Sequence, residues 1–222
     1  MKRRRLLISK PKRKREMQHT EKAARIIGNV LKDMVSPFGR SERDVAAEIR
    51  RRIRQQGASM SFMPIVASGR NSGHVHHKPG DKIVREEEPV IFDLGAKYRG
   101  MCSDITRMHI PDDRKFRKMF RDILKMQDTL ISKTRKGAEL RKLQEVYCTL
   151  MEKKGYKVKH MIGHGLGRNV HERIKGPLVE KIVLTIEPGV YIRDFGGCRI
   201  EDMIAVEKNG PRVISDFIPK AV

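Results

Sequence analysis

The stretch GHGLGRNVHE, residues 163–172, places two histidines, His164 and His171, seven residues apart in a glycine-rich segment. Glycine carries an entropic cost on folding and is typically kept where the backbone must bend or approach another group closely. Two interpretations of the segment are open. It is either a turn with exposed histidines or a metal site with a second, catalytic imidazole beside it, and the rest of the chain has to decide between them.

Secondary-structure predictions divide the chain into two halves with the same order of elements. Apolar residues recur at helical spacing over residues 17–34, 45–53, 116–130 and 140–151, which predicts four helices. Apolar runs bounded by proline and glycine predict strands at MPIVASG (63–69), PVIFDLGAKY (89–98), GMCSDITRMHI (100–110), KIVLTIEPGVYI (181–192) and GCRIEDMIAVE (197–207). Each half therefore has two helices followed by strands, which predicts an α+β fold.

The polar residues repeat together with these elements. A histidine precedes two carboxylates in each half, as His76, Asp93 and Asp104 in the first and His171, Glu187 and Glu201 in the second. The four carboxylates lie inside predicted strands, and a buried carboxylate is costly unless it is paired or binds a metal. Pairing with Arg107 or Arg199 could explain one of them. Four at matching positions favour a metal site between two related halves.

The ligand types limit the kind of metal site. The predicted ligands are Asp93, Asp104, His164, Glu187 and Glu201. Five ligands are too many for one tetrahedral zinc ion. Bridging carboxylates can instead hold two ions about 3.5–4 Å apart. Four oxygen ligands and one nitrogen ligand suit Mn, Co, Fe(II) or Zn more than copper, and the choice among these four stays open.

Five motifs in the chain carry a resemblance to a known family. FMPIVASGRNSGHVHH, DLGAKYRGMCSDITR, GHGLGRNVHE, TIEPGVYI and GGCRIED resemble, in order, the motifs of the methionine aminopeptidase/prolidase metallopeptidases. The resemblance runs from about residue 8 to the end. It implies the pita-bread fold, in which each of two pseudo-symmetric halves packs helices on strands of a curved antiparallel sheet. We therefore expect a basic lead-in at residues 1–12 and a single catalytic domain at residues 13–222.

The resemblance also implies a role for each candidate site residue. It gives the same five metal ligands, adds His76 and His171 as catalytic histidines that donate hydrogen bonds to the substrate, and makes Glu187 the group that acts on the attacking water. It further implies that His160 binds substrate and that Arg199 supports a metal-bound carboxylate. The alternatives are a loop histidine for His76 and an ordinary strand arginine for Arg199.

Details of the motifs bear on the substrate. IVASG, the pair His76–His77, SDITR and GGCRIED are similar to Xaa-Pro aminopeptidases and prolidases, whereas GHGLGR with Arg168 is more similar to methionine aminopeptidases. A non-catalytic binding module of the same fold is a third alternative. The resemblance also implies that the chain starts almost at the catalytic domain, so we expect it to lack the N-terminal domain that prolidase-type members usually carry. The segment between His171 and Glu187 is shorter than the family's.

Charge and cysteine content bear on the binding partners of the protein and on its cellular compartment. The formal net charge is +22, and residues 1–54 hold 18 Lys and Arg against 6 Asp and Glu. The electrostatic field of such a positive segment attracts polyanions, so a weak nucleic-acid or ribosome contact through the basic N-terminus is one interpretation. The alternative is a charged surface that only contacts solvent. The sequence contains no run of 18 apolar residues, so we expect no membrane span. Three separated cysteines suggest a reduced, cytoplasmic protein. A homodimer is also left open.

Overall fold

The computed structural model describes residues 7–222 and has the predicted α+β organisation. The helices are α1 (Lys14–Asp33), α2 (Glu42–Gln55), α3 (Arg114–Lys133) and α4 (Leu140–Lys153), and a 3₁₀ helix spans Gly69–Gly73. The strands of the first half are β1 (Ser59–Met60), β2 (Ile65–Ser68), β3 (Val90–Leu94), β4 (Ala96–Tyr98), β5 (Met101–Cys102) and β6 (Ile105–His109). Those of the second are β7 (Val183–Ile186), β8 (Gly189–Ile192), β9 (Gly196–Arg199), β10 (Asp202–Glu207) and β11 (Gly210–Val213).

The four predicted helices are confirmed, and side-chain caps account for two of their starts. The Ser41 hydroxyl accepts a hydrogen bond from the backbone N–H of Asp44 at 3.1 Å. The Asp113 carboxylate likewise accepts from the N–H groups of Lys115 and Phe116, at 2.8 and 3.0 Å. These bonds satisfy N–H groups that have no partner within the helix.

The central strands lie between two helical layers, and all the paired strands are antiparallel. Sheet orders are β2-β3-β6 in the first half and β11-β10-β7 in the second, with smaller sheets β1-β4-β5 and β8-β9. Phe92 and Met203 face a core shared with α1 and α2. Their neighbours Ile91 and Ile204 face a second core shared with α3 and α4. Because successive strand residues point to opposite faces, both faces of these strands are apolar.

Four of the predicted strands were too long, because each is interrupted. The run at 100–110 breaks at Ser103 and Asp104, that at 181–192 at Glu187 and Pro188, and that at 197–207 at Ile200 and Glu201. The run at 89–98 breaks at Gly95, two residues after Asp93, which stays within β3. Proline cannot donate to a strand ladder, which accounts for one break. Three of the four carboxylates therefore lie in irregular backbone between strands.

The residues before α1 lie against a distant part of the chain. The N–H of Ser9 donates to the carbonyl of Arg173 at 2.9 Å, and the N–H of Lys12 donates to the carbonyl of Lys181 at 2.8 Å. Lys12 is 5% exposed, and its ammonium lies 3.7 Å from a carboxylate oxygen of Glu172. Residues 1–6 of the predicted lead-in lie outside the described residues, and the boundary at residue 12 stays a prediction.

The described residues contain no helix that is both long and apolar enough to cross a membrane. The three cysteines are free, with Cys102 and Cys198 buried and Cys148 exposed.

Candidate metal centre

All the candidate site residues line one cavity of about 220 Å³. These are His76, Asp93, Asp104, His160, His164, His171, Glu187, Arg199 and Glu201. Apolar side chains complete the wall, namely Phe62, Ile65, Val75 and Val170. Residues from both halves of the chain thus meet in one place, although their roles stay predictions from the sequence.

The two halves join at a backbone contact beside the cavity. Asp93 of β3 pairs with Thr106 of β6. On its other side Thr106 forms an isolated antiparallel bridge with Glu201, whose N–H donates to the Thr106 carbonyl at 3.2 Å. A carboxylate from each half is therefore placed on adjacent backbone, and Asp104 lies at the break just before β6.

The glycines of residues 163–167 permit close packing of the loop. A Cβ atom at Gly163 would lie 1.9 Å from the Thr185 carbonyl oxygen of β7, and one at Gly167 would lie 2.4 Å from a carboxylate oxygen of Glu172. Neither glycine has a positive φ angle. Close approach is therefore the reason for these two glycines, and it brings His164 beside β7, where its N–H donates to the Thr185 hydroxyl at 3.1 Å.

Three side chains converge closely enough to hold one cation. One ligand atom from each of Asp104, His164 and Glu201 lies within 4.8 Å of the others. His164 Nε2 is 3.5 Å from Asp104 Oδ2 and 3.5 Å from Glu187 Oε1. The Nδ1 atom of His164 donates to the Gly165 carbonyl at 3.2 Å, which leaves the lone pair of Nε2 facing the carboxylates. This is the arrangement by which a metal-binding imidazole is usually oriented.

Two carboxylate oxygens in the cavity are buried without a hydrogen-bond partner among the described residues. They are Oδ1 of Asp93 and Oε1 of Glu201. The second oxygen of each group is bound: Arg199 Nη2 donates to Asp93 Oδ2 at 2.8 Å, and the Thr106 hydroxyl donates to Glu201 Oε2 at 2.9 Å. Buried polar atoms normally have a partner. Free oxygens beside a free imidazole nitrogen therefore fit divalent cations.

Burial of like charges alters the protonation of the four carboxylates. Burial and the neighbouring carboxylates raise the pKa values of Asp104 and Glu201 well above their usual range. Burial raises the pKa of Glu187 to about 8, and it raises that of Asp93 despite the adjacent Arg199 guanidinium. Burial also lowers the pKa of His164 to about 4. The imidazole is thus already in the neutral form that binds metal, and a nearby cation would lower the pKa values of the carboxylates again.

These shifts predict that the metal-free protein loses stability as the pH rises from 6.5 to 8. Glu187 keeps its proton in the folded chain up to about pH 8 but loses it near pH 4.3 when unfolded, so folding binds a proton in this range. This group alone should lower the free energy of unfolding by about 2 kcal/mol between the two pH values. Urea unfolding of chelator-treated protein measures it.

Three histidines, His160, His164 and His171, have pKa values lowered by burial and oppose this trend only at lower pH. The pKa values of His160 and His164 are lowered to about 4 by burial, so their effect ends near pH 6.5, where the unfolded imidazole loses its proton. Added Mn²⁺ should abolish the loss because a cation favours the ionised carboxylates. A metal-free protein that is equally stable at pH 8, or more stable, would contradict the carboxylate assignment.

Arg199 begins a chain of hydrogen bonds that orients His160. Its Nη1 donates to the Tyr191 hydroxyl oxygen at 2.7 Å, and this hydroxyl lies 3.0 Å from His160 Nε2. Since His160 Nδ1 lies 2.8 Å from the Met161 carbonyl, Nδ1 carries the proton and Nε2 accepts from Tyr191. Both ring nitrogens are occupied, so in this conformation His160 offers the cavity its ring rather than a free N–H group.

Arg107, the alternative partner for the carboxylates, turns away from them. It is fully buried, and its Nη2 donates to Asp202 Oδ1 at 2.8 Å. Its Nη1 donates to the backbone carbonyl of Glu201 at 2.6 Å. Arg107 thus supports the backbone behind Glu201 and does not neutralise the cavity carboxylates.

Two threonines that hold the site were not predicted. Thr106 donates to Glu201, and the Thr185 hydroxyl lies 3.4 Å from Glu187 Oε1. Each threonine lies two residues from a predicted ligand, Asp104 or Glu187. Because side chains two residues apart in extended backbone share a face, this spacing is the signal that could have identified them.

Comparison with known proteins identifies the family of the chain. Residues 18–208 match the metallopeptidase family M24. The Xaa-Pro dipeptidase of Pyrococcus horikoshii is 33% identical over 214 residues, which cover 90% of this chain and 61% of that protein. The prolidase structure from Thermococcus sibiricus aligns with a TM-score of 0.88 and 34% identity, over 94% of this chain and 60% of that one.

A further solved structure extends the comparison to an aminopeptidase. The X-Pro aminopeptidase from Thermotoga maritima aligns with a TM-score of 0.89 and 29% identity, over 96% of this chain and 63% of that one. The present chain therefore spans about three fifths of the length of these relatives. Its two halves have the pita-bread architecture predicted from the motifs. The chain belongs to the metallopeptidase family M24.

Proposed function

We propose that this chain hydrolyses peptide bonds at peptide N-termini, as a dinuclear Xaa-Pro aminopeptidase or Xaa-Pro dipeptidase. The observation that carries the proposal is the cavity in which buried, unpartnered oxygens of Asp93 and Glu201 lie with Asp104, His164 and Glu187. The names of the similar proteins, Xaa-Pro dipeptidase and X-Pro aminopeptidase, support the choice of substrate.

Five side chains would hold the metal ions, namely Asp93, Asp104, His164, Glu187 and Glu201. Two divalent ions, when bound, would polarise the scissile carbonyl and lower the pKa of a water molecule. Mn, Co, Fe(II) and Zn all suit this donor set. The free Nε2 of His164 and the free oxygens of Asp93 and Glu201 are atoms of the chain that would be available to such ions.

We assign to Glu187 the role of accepting the proton of the attacking water. Its Oε1 atom lies near the Thr185 hydroxyl, and its Oε2 atom is 3.7 Å from His160 Nδ1. The Thr185 hydroxyl is thus the hydrogen-bond donor to this carboxylate, and the His160 ring lies next to it without a hydrogen bond. A general base must lie within hydrogen-bond reach of the proton that it removes, and the position of Glu187 in the lining of the cavity supports this assignment.

His76 and His171 are the donors available to the substrate. Both are exposed side chains that line the cavity. The ring of His171 meets the ring of His164 edge-on, with 4.2 Å between centroids. An imidazole offers an N–H donor in its neutral and its charged form. We assign to these two histidines the hydrogen bonds to the scissile carbonyl, its oxyanion and the P1′ side of the peptide.

The proposal is tested by a side-by-side peptide panel. We expect hydrolysis of Xaa-Pro and Xaa-Pro-Xaa peptides in the presence of Mn²⁺ or Co²⁺, with much slower hydrolysis of Met-Ala-Ser. Liquid chromatography of the products measures each rate. A preference for Met-Ala-Ser would favour the methionine aminopeptidase alternative, which Arg168 suggests.

A control separates the enzyme from the non-catalytic alternative. Chelator-treated protein should be inactive towards every peptide and should regain activity when the ion is returned. Absence of hydrolysis with all ions tested, in protein that retains metal, would support a binding module. Cytoplasmic location, nucleic-acid contact through the basic N-terminus and a homodimer remain predictions from the sequence, and no contact among the described residues favours them.

A further inference from the structure

The adjacent histidines His76 and His77 point to different surroundings. His76 lines the catalytic cavity, is exposed, and makes no hydrogen bond through its ring to any described residue. The Nε2 atom of His77 instead lies 2.7 Å from Oε2 of Glu42, a carboxylate with no solvent exposure at the start of α2. The ring of His77 is therefore held by a hydrogen bond, whereas the ring of His76 is free among the described residues.

Glu42 receives hydrogen bonds from several points of the segment that carries His76. Its Oε1 accepts from the Ser68 N–H at 2.8 Å, the Ser68 hydroxyl at 2.8 Å and Asn71 Nδ2 at 3.0 Å. Its Oε2 accepts from His77 and from the Gly80 N–H at 3.2 Å. Every partner is a donor, so the group is held as a carboxylate. Burial alone would raise the pKa of Glu42, but these bonds bring it below its usual value.

Backbone contacts tie the same segment to the start of α2. The N–H of Glu42 donates to the Lys82 carbonyl at 3.0 Å, and that of Arg43 donates to the Gly80 carbonyl at 3.0 Å. On the near side of His76, the Val75 carbonyl accepts from Arg199 Nη1 at 3.4 Å. The residues on both sides of His76 are therefore held in place. Arg199 binds the carbonyl of Val75 before it, and Glu42 binds the ring of His77 after it.

We propose that Glu42 and His77 are positioning residues, which act through the backbone to hold the exposed His76 imidazole at the substrate. The inference rests on the proposed catalytic role of His76. An exposed ring with no side-chain partner depends on its backbone for its position, and a displacement of about 1 Å at a catalytic group can lower a rate roughly a hundredfold.

The substitution His77→Phe removes the donor and keeps a ring. In Mn²⁺-loaded protein we expect it to lower kcat for Xaa-Pro hydrolysis roughly ten- to a hundredfold, with metal content unchanged. His77→Gln can still donate to Glu42 and should recover most of the loss. In a His76→Ala background, His77→Phe should lower kcat no further, because the group that it positions is already gone. A merely structural effect would multiply with His76→Ala.

Glu48→Gln is the matched control on the same helix. Glu48 is a buried carboxylate of α2 that binds Arg40 and Arg52 and has no hydrogen bond to residues 68–80. It should lower stability without lowering kcat. Should His77→Phe fold poorly, Glu42→Gln provides the same test. The NH₂ group of the glutamine would face hydrogen-bond donors, so at least one of the bonds that Glu42 accepts would be lost.

Amide hydrogen exchange gives a second test that does not depend on activity. Residues 74–80 should exchange faster in His77→Phe and at the wild-type rate in Glu48→Gln and His77→Gln. If no peptide is hydrolysed, the proposed function fails and exchange alone decides the positioning role. Unchanged exchange in His77→Phe, kcat within twofold of wild type, or an equal loss of kcat with and without His76, would overturn the inference.

Discussion

Asp104→Asn should abolish most of the hydrolytic activity and remove at least one metal ion per chain. Asp104 lies in the middle of the ligand set, since its Oδ2 is 3.5 Å from His164 Nε2 and it belongs to the convergent group with Glu201. A neutral amide cannot bridge two cations as a carboxylate does. We expect a loss of kcat on the order of a thousandfold, which corresponds to about 4 kcal/mol of transition-state stabilisation. Peptide hydrolysis and elemental analysis of metal content measure the two effects.

A carboxylate remote from the cavity provides the control for Asp104→Asn. Asp122 of α3 is also buried, but its partners are Lys118, Lys154 and Tyr156. Asp122→Asn makes the same chemical change and should lower stability while leaving metal content and kcat as in the wild type. Full activity and two ions per chain in Asp104→Asn would refute the ligand assignment.

His171→Ala should lower kcat about a hundred- to a thousandfold, the usual effect of removing one oxyanion donor. Metal content should stay near that of the wild type, because His171 is assigned as a donor to the substrate and its ring meets the ring of His164 edge-on. Measurement of kcat, KM and bound metal on one preparation separates a lost donor from a lost ligand.

His109→Ala is the corresponding histidine control, because His109 lies at the end of β6, where its Nε2 binds the Glu86 carbonyl, and does not line the cavity. Its kcat should equal that of the wild type. Loss of metal from His171→Ala would show that His171 is a ligand, and an unchanged kcat would remove it from the catalytic group.

The order of elements and the membership of the cavity were predictable, because both depend on patterns within short stretches. Apolar spacing predicted the helices, and the repeat of one histidine and two carboxylates predicted six of the nine candidate side chains in the cavity. The glycine-rich stretch supplied His164, and the family resemblance supplied His160 and Arg199. The strand breaks were not predictable in this way. Asp104, Glu187 and Glu201 each have apolar neighbours, so period-two patterning extends through them, whereas the structure bends the backbone at these residues.

Contacts between residues distant in sequence could not be predicted either, for a different reason. Glu42 is read from sequence as an acidic residue of a helical first turn, and nothing in that pattern shows that it binds His77, 35 residues away. In the same way, a run of basic residues predicts a solvated segment. It does not reveal that Lys12 is buried against Glu172.

The segment at residues 7–12 has a consequence for the motions of the catalytic loop. Glu172, next to His171, accepts from the Arg168 N–H at 2.8 Å, and Lys12 supplies its buried counter-charge. If residues 7–12 open away from the body, Glu172 is left as an uncompensated buried charge. Fraying of a peripheral segment is ordinarily the least costly fluctuation of a fold. Because Glu172 lies next to His171, we expect such fraying here to loosen residues 163–172 as well, so that this loop and residues 7–12 open as one cooperative unit.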